Sequence, residues 1–280
     1  MPIGADEAGA ATLTQAVTLI AAAAEDPTFH PPSIWEFFPP VLLFEGTPFA
    51  ITRINLAQIL ATVVLVVLFL IGTRRLKMIP GRFQSIIEMG FGFVRNNIAH
   101  DLLGRKDGDR FLPILMTMFF MILFMNITGI IPGINIAGTS VIAVPLLLAI
   151  VSYVTFIYAG VKKSPKGFVK ASLFPSGIPV ALQWFVAILE FLSTFIIRPV
   201  TLTLRLLMNM IVGHLMLVLL FSATSFFMFG MGGLWSALGV ATGAFGLAFT
   251  LFEILVAVLQ AYIFAVLTAV YIQLAVAEEH

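Results

Sequence analysis

Residues 180–229 contain no polar loop, and that limits the fold of this chain more than any other property of the sequence. As one α-helix the stretch would be roughly 75 Å long, more than twice the ~30 Å hydrocarbon core of a bilayer. Residues 234–275 repeat the problem with roughly 63 Å of apolar helix. Each stretch is therefore either a broken pair of spans or one long helix strongly inclined to the membrane. Neither has a Gly, Pro or polar cluster near its middle, and Pro199 is a single kink candidate, which favours the inclined helix. Gly230, Gly232 and Gly233 lie between the two and supply a turn, so the pair reads as a helical hairpin.

Composition agrees with a membrane environment. The chain is 60% hydrophobic and 10% charged, with a mean hydropathy of +1.07. A soluble domain carries about 25% charged residues. There is no cysteine, which removes disulfides and thiolate metal sites. No cofactor, metal or nucleic acid is expected.

The rest of the chain divides into shorter pieces. Residues 55–72 are 18 uncharged positions, enough for a first span with its flanks. Residues 78–111 place Ile86, Ile87, Phe91 and Val94 near helical spacing with Glu88 and Arg95 on other faces, predicting an amphipathic surface helix. Residues 111–131 form a second span, in which Asn126 is tolerable where it faces other helices, and Gly129, Pro132 and Gly133 end it. A third span covers about 137–159. The expected fold is thus an all-α polytopic membrane protein: three spans, one amphipathic surface helix and a long inclined hairpin. Its parts are an N-terminal arm (1–50), the first three helices with the surface helix (51–175) and the hairpin (176–280). The arm reads as helical near Thr12, with Trp35, Phe37 and Phe38 at headgroup level, His30 an ordinary surface histidine, and no cleaved signal peptide.

Charge orients these pieces. Eight of the 15 Lys and Arg fall between Arg74 and Arg110, and Lys162, Lys163, Lys166 and Lys170 cluster together. The first 50 residues carry six acids and no Lys or Arg. The positive-inside rule assigns both basic loops to the cytoplasm, hence the N-terminus outside and the C-terminal tail inside.

Within the hairpin, Glu190, Arg198, Arg205, His214 and Glu253 stand among apolar residues. A guanidinium is never neutralised at accessible pH, and placing one at the bilayer centre costs at least ~2.5 kcal/mol. On an ideal helix Arg198, Arg205 and Asn209 project within about 40° of one another, with Glu190 about 60° to one side. Glu253 and Gln260 are two turns apart on one face, with Tyr271 on the same stripe. Plainer readings stand beside a functional one: Arg198 snorkelling to the interface, Glu190 as its counter-ion, His214 as a neutral structural histidine, Asn209 as interhelical glue, and Arg205 with Glu253 as a buried ion pair. The last is a poor stabiliser, and titratable groups spread along a membrane-depth path suggest a proton relay around a fixed charge.

Three motifs carry a family resemblance. RPVTLTLRLLMNMIVGH (residues 198–214) is similar to the arginine helix of the a subunit of rotary F-type ATP synthase, and LQAYIFAVLTAVY (259–271) to that family's last helix. RFLPILMTMFFMILFMNITGIIPG, with Pro113, Thr117, Asn126, Gly129 and Pro132, resembles its second span and turn, and the likeness covers about 55–273. The resemblance implies that Arg205 faces a ring of c subunits and separates two offset proton half channels. It implies one path through Glu253, His214 and Asn209, with Gln260 beside it, and an opposite path past Glu190; Arg198 and Tyr271 are secondary. Glu190 stands eight residues before Arg198, where many members have seven. The implied partners are the c ring, peripheral-stalk b subunits and membrane lipid within the whole F1Fo complex, in a bacterial inner membrane, with no catalysis by this chain alone. The competing class is a secondary transporter or stand-alone ion channel, which an internal repeat or paired mid-membrane breaks would favour, and neither is found. An intramembrane enzyme lacks HExxH and GxSxG patterns.

Overall fold

The computed structural model describes residues 33, 41–43, 51–74, 81–131, 136–165, 167–168, 180–231 and 233–276. The expected helix near Thr12, His30 and the aromatic residues 35, 37 and 38 lie outside the described residues. Two short strands, β1 (Val41–Leu43) and β2 (Ile51–Thr52), pair antiparallel with Val41 opposite Thr52, an element the sequence did not suggest. Thr52 then starts helix α1 (Arg53–Arg74), its Oγ1 accepting from the Asn55 amide at 3.4 Å as an N-cap hydroxyl does.

Helix α2 (Arg82–Val94), a π-helical turn (Arg95–His100) and α3 (Asp101–Ile127) follow almost without interruption. The break inside α3 is at Gly104, whose φ of 73° lies where a side chain would strain. Of the four apolar positions expected to share a face, Ile87 and Val94 are buried, while Ile86 is exposed. The core-facing repeat is instead Ile87, Phe91, Val94 and Ile98, and Phe91 meets Phe69 of α1 and Phe120 of α3 edge to face, with ring centroids 5.1 and 5.7 Å away.

Helix α4 (Ala143–Lys163) begins later than the expected residue 137 because the preceding residues are committed to a buried polar turn. Thr128 Oγ1 donates to the Met125 carbonyl (2.7 Å) and accepts from the Gly138 amide (3.2 Å). Thr139 Oγ1 donates to Asn126 Oδ1 (2.6 Å), and Gln58 of α1 donates to the Gly138 carbonyl (2.8 Å). Asn126 is fully buried, facing the protein as its tolerance in a span requires.

Helix α5 (Val180–Leu192), a π-helical turn (Ser193–Ile197) and α6 (Arg198–Ser225) form one continuous run, and α7 (Ser236–Val276) is a single helix of 41 residues. Neither stretch is a broken pair of spans. The irregularity sits just before Pro199, whose ring cannot donate to or pack against the preceding turn, and a widened turn there relieves both.

The described residues separate into two compact units, one containing residues 216–249 and the other residues 41–215 and 250–276. In the first, α6 ends in a π-helical turn (Phe226–Met231), Gly233 takes a φ of 61°, and a 3-10 turn (Gly233–Trp235) enters α7. Thr224 Oγ1 donates to Thr242 Oγ1 at 3.0 Å across this hairpin. In the second, Val94, Leu115, Met118, Ile122, Leu206 and Phe264 are nearly or wholly buried in one core to which α2, α3, α6 and α7 all contribute. Small residues Ala257, Ala261, Ala265 and Ala269 let α7 approach its neighbours closely, and Ser152 of α4 hydrogen-bonds Thr268 of α7 at 2.8 Å. Among the described residues five helical runs are long and apolar enough to cross a membrane: Arg53–Gly72, Arg82–Ile127, Ala143–Lys163, Leu182–Met231 and Gly233–Val276.

A candidate ion path along two long helices

The polar residues of α6 and α7 divide by exposure. Glu253 (6% exposed), Gln260 (5%) and His214 (7%) are buried. Glu253, Ala257, Gln260, Ala261 and Phe264 recur at helical spacing, so the acid and the amide share the inner face of α7. Gly213, immediately before His214, touches the Glu253 carboxylate so closely that a Cβ there would overlap Glu253 Oε1. The sequence reading missed Gly213, because its role depends on which residue of a distant helix lies opposite.

At the other end of α6, Arg198 lies 5.4 Å from the ring centroid of Tyr271, a cation–π contact. Tyr271 also meets Phe156 of α4. Among the described residues neither Arg198 nor Glu190 has an ion pair, so Glu190 is not the counter-ion of Arg198. Tyr153, whose ring packs 5.9 Å from Phe195 in the π-helical turn, has a buried hydroxyl with no hydrogen-bond partner among the described residues. It was also missed, being an ordinary-looking tyrosine in an apolar span.

Arg205 lies between these contacts and on the opposite side from the core. It is exposed, and so are Thr201, Leu204, Met208 (51%) and Val212 (56%), which together form one outward face of α6; Asn209 is half-buried at its edge. Leu202, Leu206 and Met210 occupy the inward face. Among the described residues Arg205 has no ion pair and no hydrogen bond, so a buried pair with Glu253 does not form.

The π-helical turn alters the expected stripe. On an ideal helix, eight residues separate Glu190 from Arg198 by about 80°; a turn that hydrogen-bonds i to i+5 absorbs one residue, leaving the rotation of seven, about 20°. Glu190 is thereby brought towards the azimuth of Arg198 and Arg205 rather than lying well to one side of Arg205.

A multi-helix membrane protein with a titratable acid and histidine buried between two long helices, and a cation presented outward beside them, belongs to the class that moves ions across membranes. Comparison with known proteins makes the class specific. Residues 55–273 match the family model described as ATP synthase A chain. The chain is similar to ATP synthase subunit a of Rhodococcus erythropolis, 45% identical over 271 residues that cover 95% of this chain and 96% of that protein. It is similar also to ATP synthase subunit a of Nocardioides sp. (36% identical, 92% and 96% covered) and of Pseudarthrobacter chlorophenolicus (35%, 92% and 97%). The chain belongs to the ATP synthase A chain family, the proton-translocating membrane subunit of ATP synthase. The stand-alone transporter or channel reading is not favoured.

Proposed function

We propose that this chain forms two offset proton half channels against a ring of c subunits, with Arg205 separating them. The observation that carries the reading is the exposure of Arg205 on an apolar helical face with no partner among the described residues. A permanently charged group at membrane depth requires compensation, and a carboxylate passing on a rotor supplies it from outside. Within about 4–6 Å the guanidinium favours the ionised form of that carboxylate, so a proton is released on approach and another is taken up on departure. It also repels a proton crossing directly from one path to the other.

One path runs through Glu253, His214 and Asn209, with Gln260 alongside; Gly213 sets where the Glu253 carboxylate lies. The other passes Glu190, with Arg198 and Tyr271 beside it. This chain does not itself make or hydrolyse ATP, and peripheral-stalk b subunits and the F1 part complete the complex. The N-terminal arm (1–50) lies outside and the C-terminus in the cytoplasm of a bacterium. The first three spans and the surface helix (51–175) hold the inclined hairpin (176–280) against the curved ring.

Arg205→Ala tests the reading in inverted vesicles carrying the whole complex. ATP-driven acidification is expected to be abolished while the soluble ATPase activity and assembly persist. Normal coupled pumping in the variant would remove Arg205 from ion coupling.

A further inference from the structure

Three side chains, none of them assigned to the ion path, converge where the last turns of α4 meet α3. The hydroxyl of Tyr158, on α4, accepts from Lys162 Nζ at 3.0 Å and from Arg110 Nη2 at 3.4 Å. The same two cations lie over its ring, Lys162 at 5.4 Å and Arg110 at 5.6 Å from the centroid. Neither has a carboxylate partner among the described residues. Two like charges thus share one neutral phenol, which orients them and neutralises neither.

From Lys162 of this pair a groove of about 350 Å³ extends along α4, lined among the described residues by Val154, Ile157, Tyr158, Val161 and Lys162. Its walls are almost entirely apolar, and Val154 and Val161 are exposed. Its volume lies in the range of small-molecule sites, roughly 300–1,000 Å³. Lys162 is next to the last residue of α4, so the charged end is at the membrane boundary and the apolar end points inward.

We propose that this groove binds an anionic phospholipid, its phosphate held between Arg110 and Lys162 and an acyl chain laid along Val154, Ile157 and Val161. The polarity gradient matches that of a lipid: cations at headgroup depth, aliphatic carbon one to two turns deeper. A guanidinium fork and an ammonium side by side suit a phosphate's several oxygens. A free anion makes no use of the apolar groove, and a neutral or zwitterionic lipid leaves the paired cations uncompensated. The site is separate from Arg205 and Glu253 and does not depend on their roles.

The test uses the purified whole complex in vesicles of phosphatidylcholine containing a minor fraction of spin-labelled phosphatidylglycerol, reading the immobilised lipid per complex. Chain-matched spin-labelled phosphatidylcholine is the comparison. Arg110→Gln and Lys162→Gln are each expected to weaken phosphatidylglycerol binding about fivefold, since one basic group near an anionic headgroup contributes an effect of that order. Phosphatidylcholine should not respond. Val154→Trp fills the groove while keeping both charges and is expected to lower binding as well. Lys163→Gln should leave it unchanged, because Lys163 donates to the Val276 carbonyl instead. Equal retention of the two lipids, an equal response to Lys163→Gln, or no response to Val154→Trp would each overturn the proposal. So would a groove that takes up no labelled lipid because another membrane helix fills it. If one charge variant does not assemble, the other and Val154→Trp still decide the outcome.

Discussion

Arg95 and Arg205 are both exposed arginines, yet among the described residues only the first has an ion-pair partner. Arg95 lies in the π-helical turn after α2, and its guanidinium pairs with Asp109 at 3.1 Å, an acid that His100 Nε2 also reaches at 2.9 Å. Exposed pairs of this kind contribute little, typically about 0–1 kcal/mol. Arg205 stands in an apolar helix, where a partner would matter far more, and has none among the described residues. The difference teaches that, among the described residues, an ion pair forms where it is worth little and is absent at the apolar-helix arginine, which the proposed rotor carboxylate would complete.

That contrast can be broken or sharpened by substitution. Beyond the loss of pumping expected for Arg205→Ala, the next largest effect belongs to Gly213→Ala. The new Cβ would push the Glu253 carboxylate aside, and displacement of a reacting group by about 1 Å can lower a rate up to about a hundredfold. Coupled proton flux is expected to fall by roughly tenfold or more with the complex assembled; unchanged flux would show that the position of Glu253 does not matter.

A smaller effect follows from the π-helical turn at Ser193–Ile197. Deleting Ser193 lets the run close as an ordinary helix and keeps Glu190 within about 20° of Arg198, so pumping should stay within about twofold of the parent. Inserting one alanine after Ser193 instead turns Glu190 by about 100° and should lower pumping. If the deletion were as harmful as the insertion, the turn would not be setting the azimuth of Glu190.

Arg95→Gln is the smallest. Loss of an exposed pair should shift the thermal stability of the assembled complex by no more than about 1 kcal/mol and leave proton flux unchanged. A collapse of pumping in Arg95→Gln would erase the distinction between the two arginines.

Much of this arrangement was legible in the sequence, for physical reasons. Long uncharged runs mark candidate spans because each helical residue adds a constant rise, and the missing mid-run breaks favoured unbroken helical runs for residues 180–229 and 234–275, as found. That Glu253 and Gln260 share one face followed from their two-turn spacing; that this face is the buried one did not. The widened turn before Pro199 was less legible: proline marks where a helix must adjust, but not whether it bends or takes in an extra residue. The start of α4 was misread because Gly138, Thr139 and Ser140 serve a hydrogen-bonded turn that apolar counting does not see. Gly213 and the Tyr158 groove were invisible, since both arise from contacts between residues far apart in the sequence.

The central claim is that the outward face of α6 lies against the rotor while its inward face packs within the chain. The chain contains no cysteine, so single cysteines can be introduced without background. Oxidative cross-linking to cysteines placed on the c subunit at carboxylate depth tests the claim directly, at Leu204, Met208 and Val212 on the outward face and Leu206 and Met210 on the inward one. The account predicts cross-links from 204, 208 and 212 and none from 206 and 210. Cross-links from the inward pair, or none from the outward three in an assembled and active complex, would contradict it.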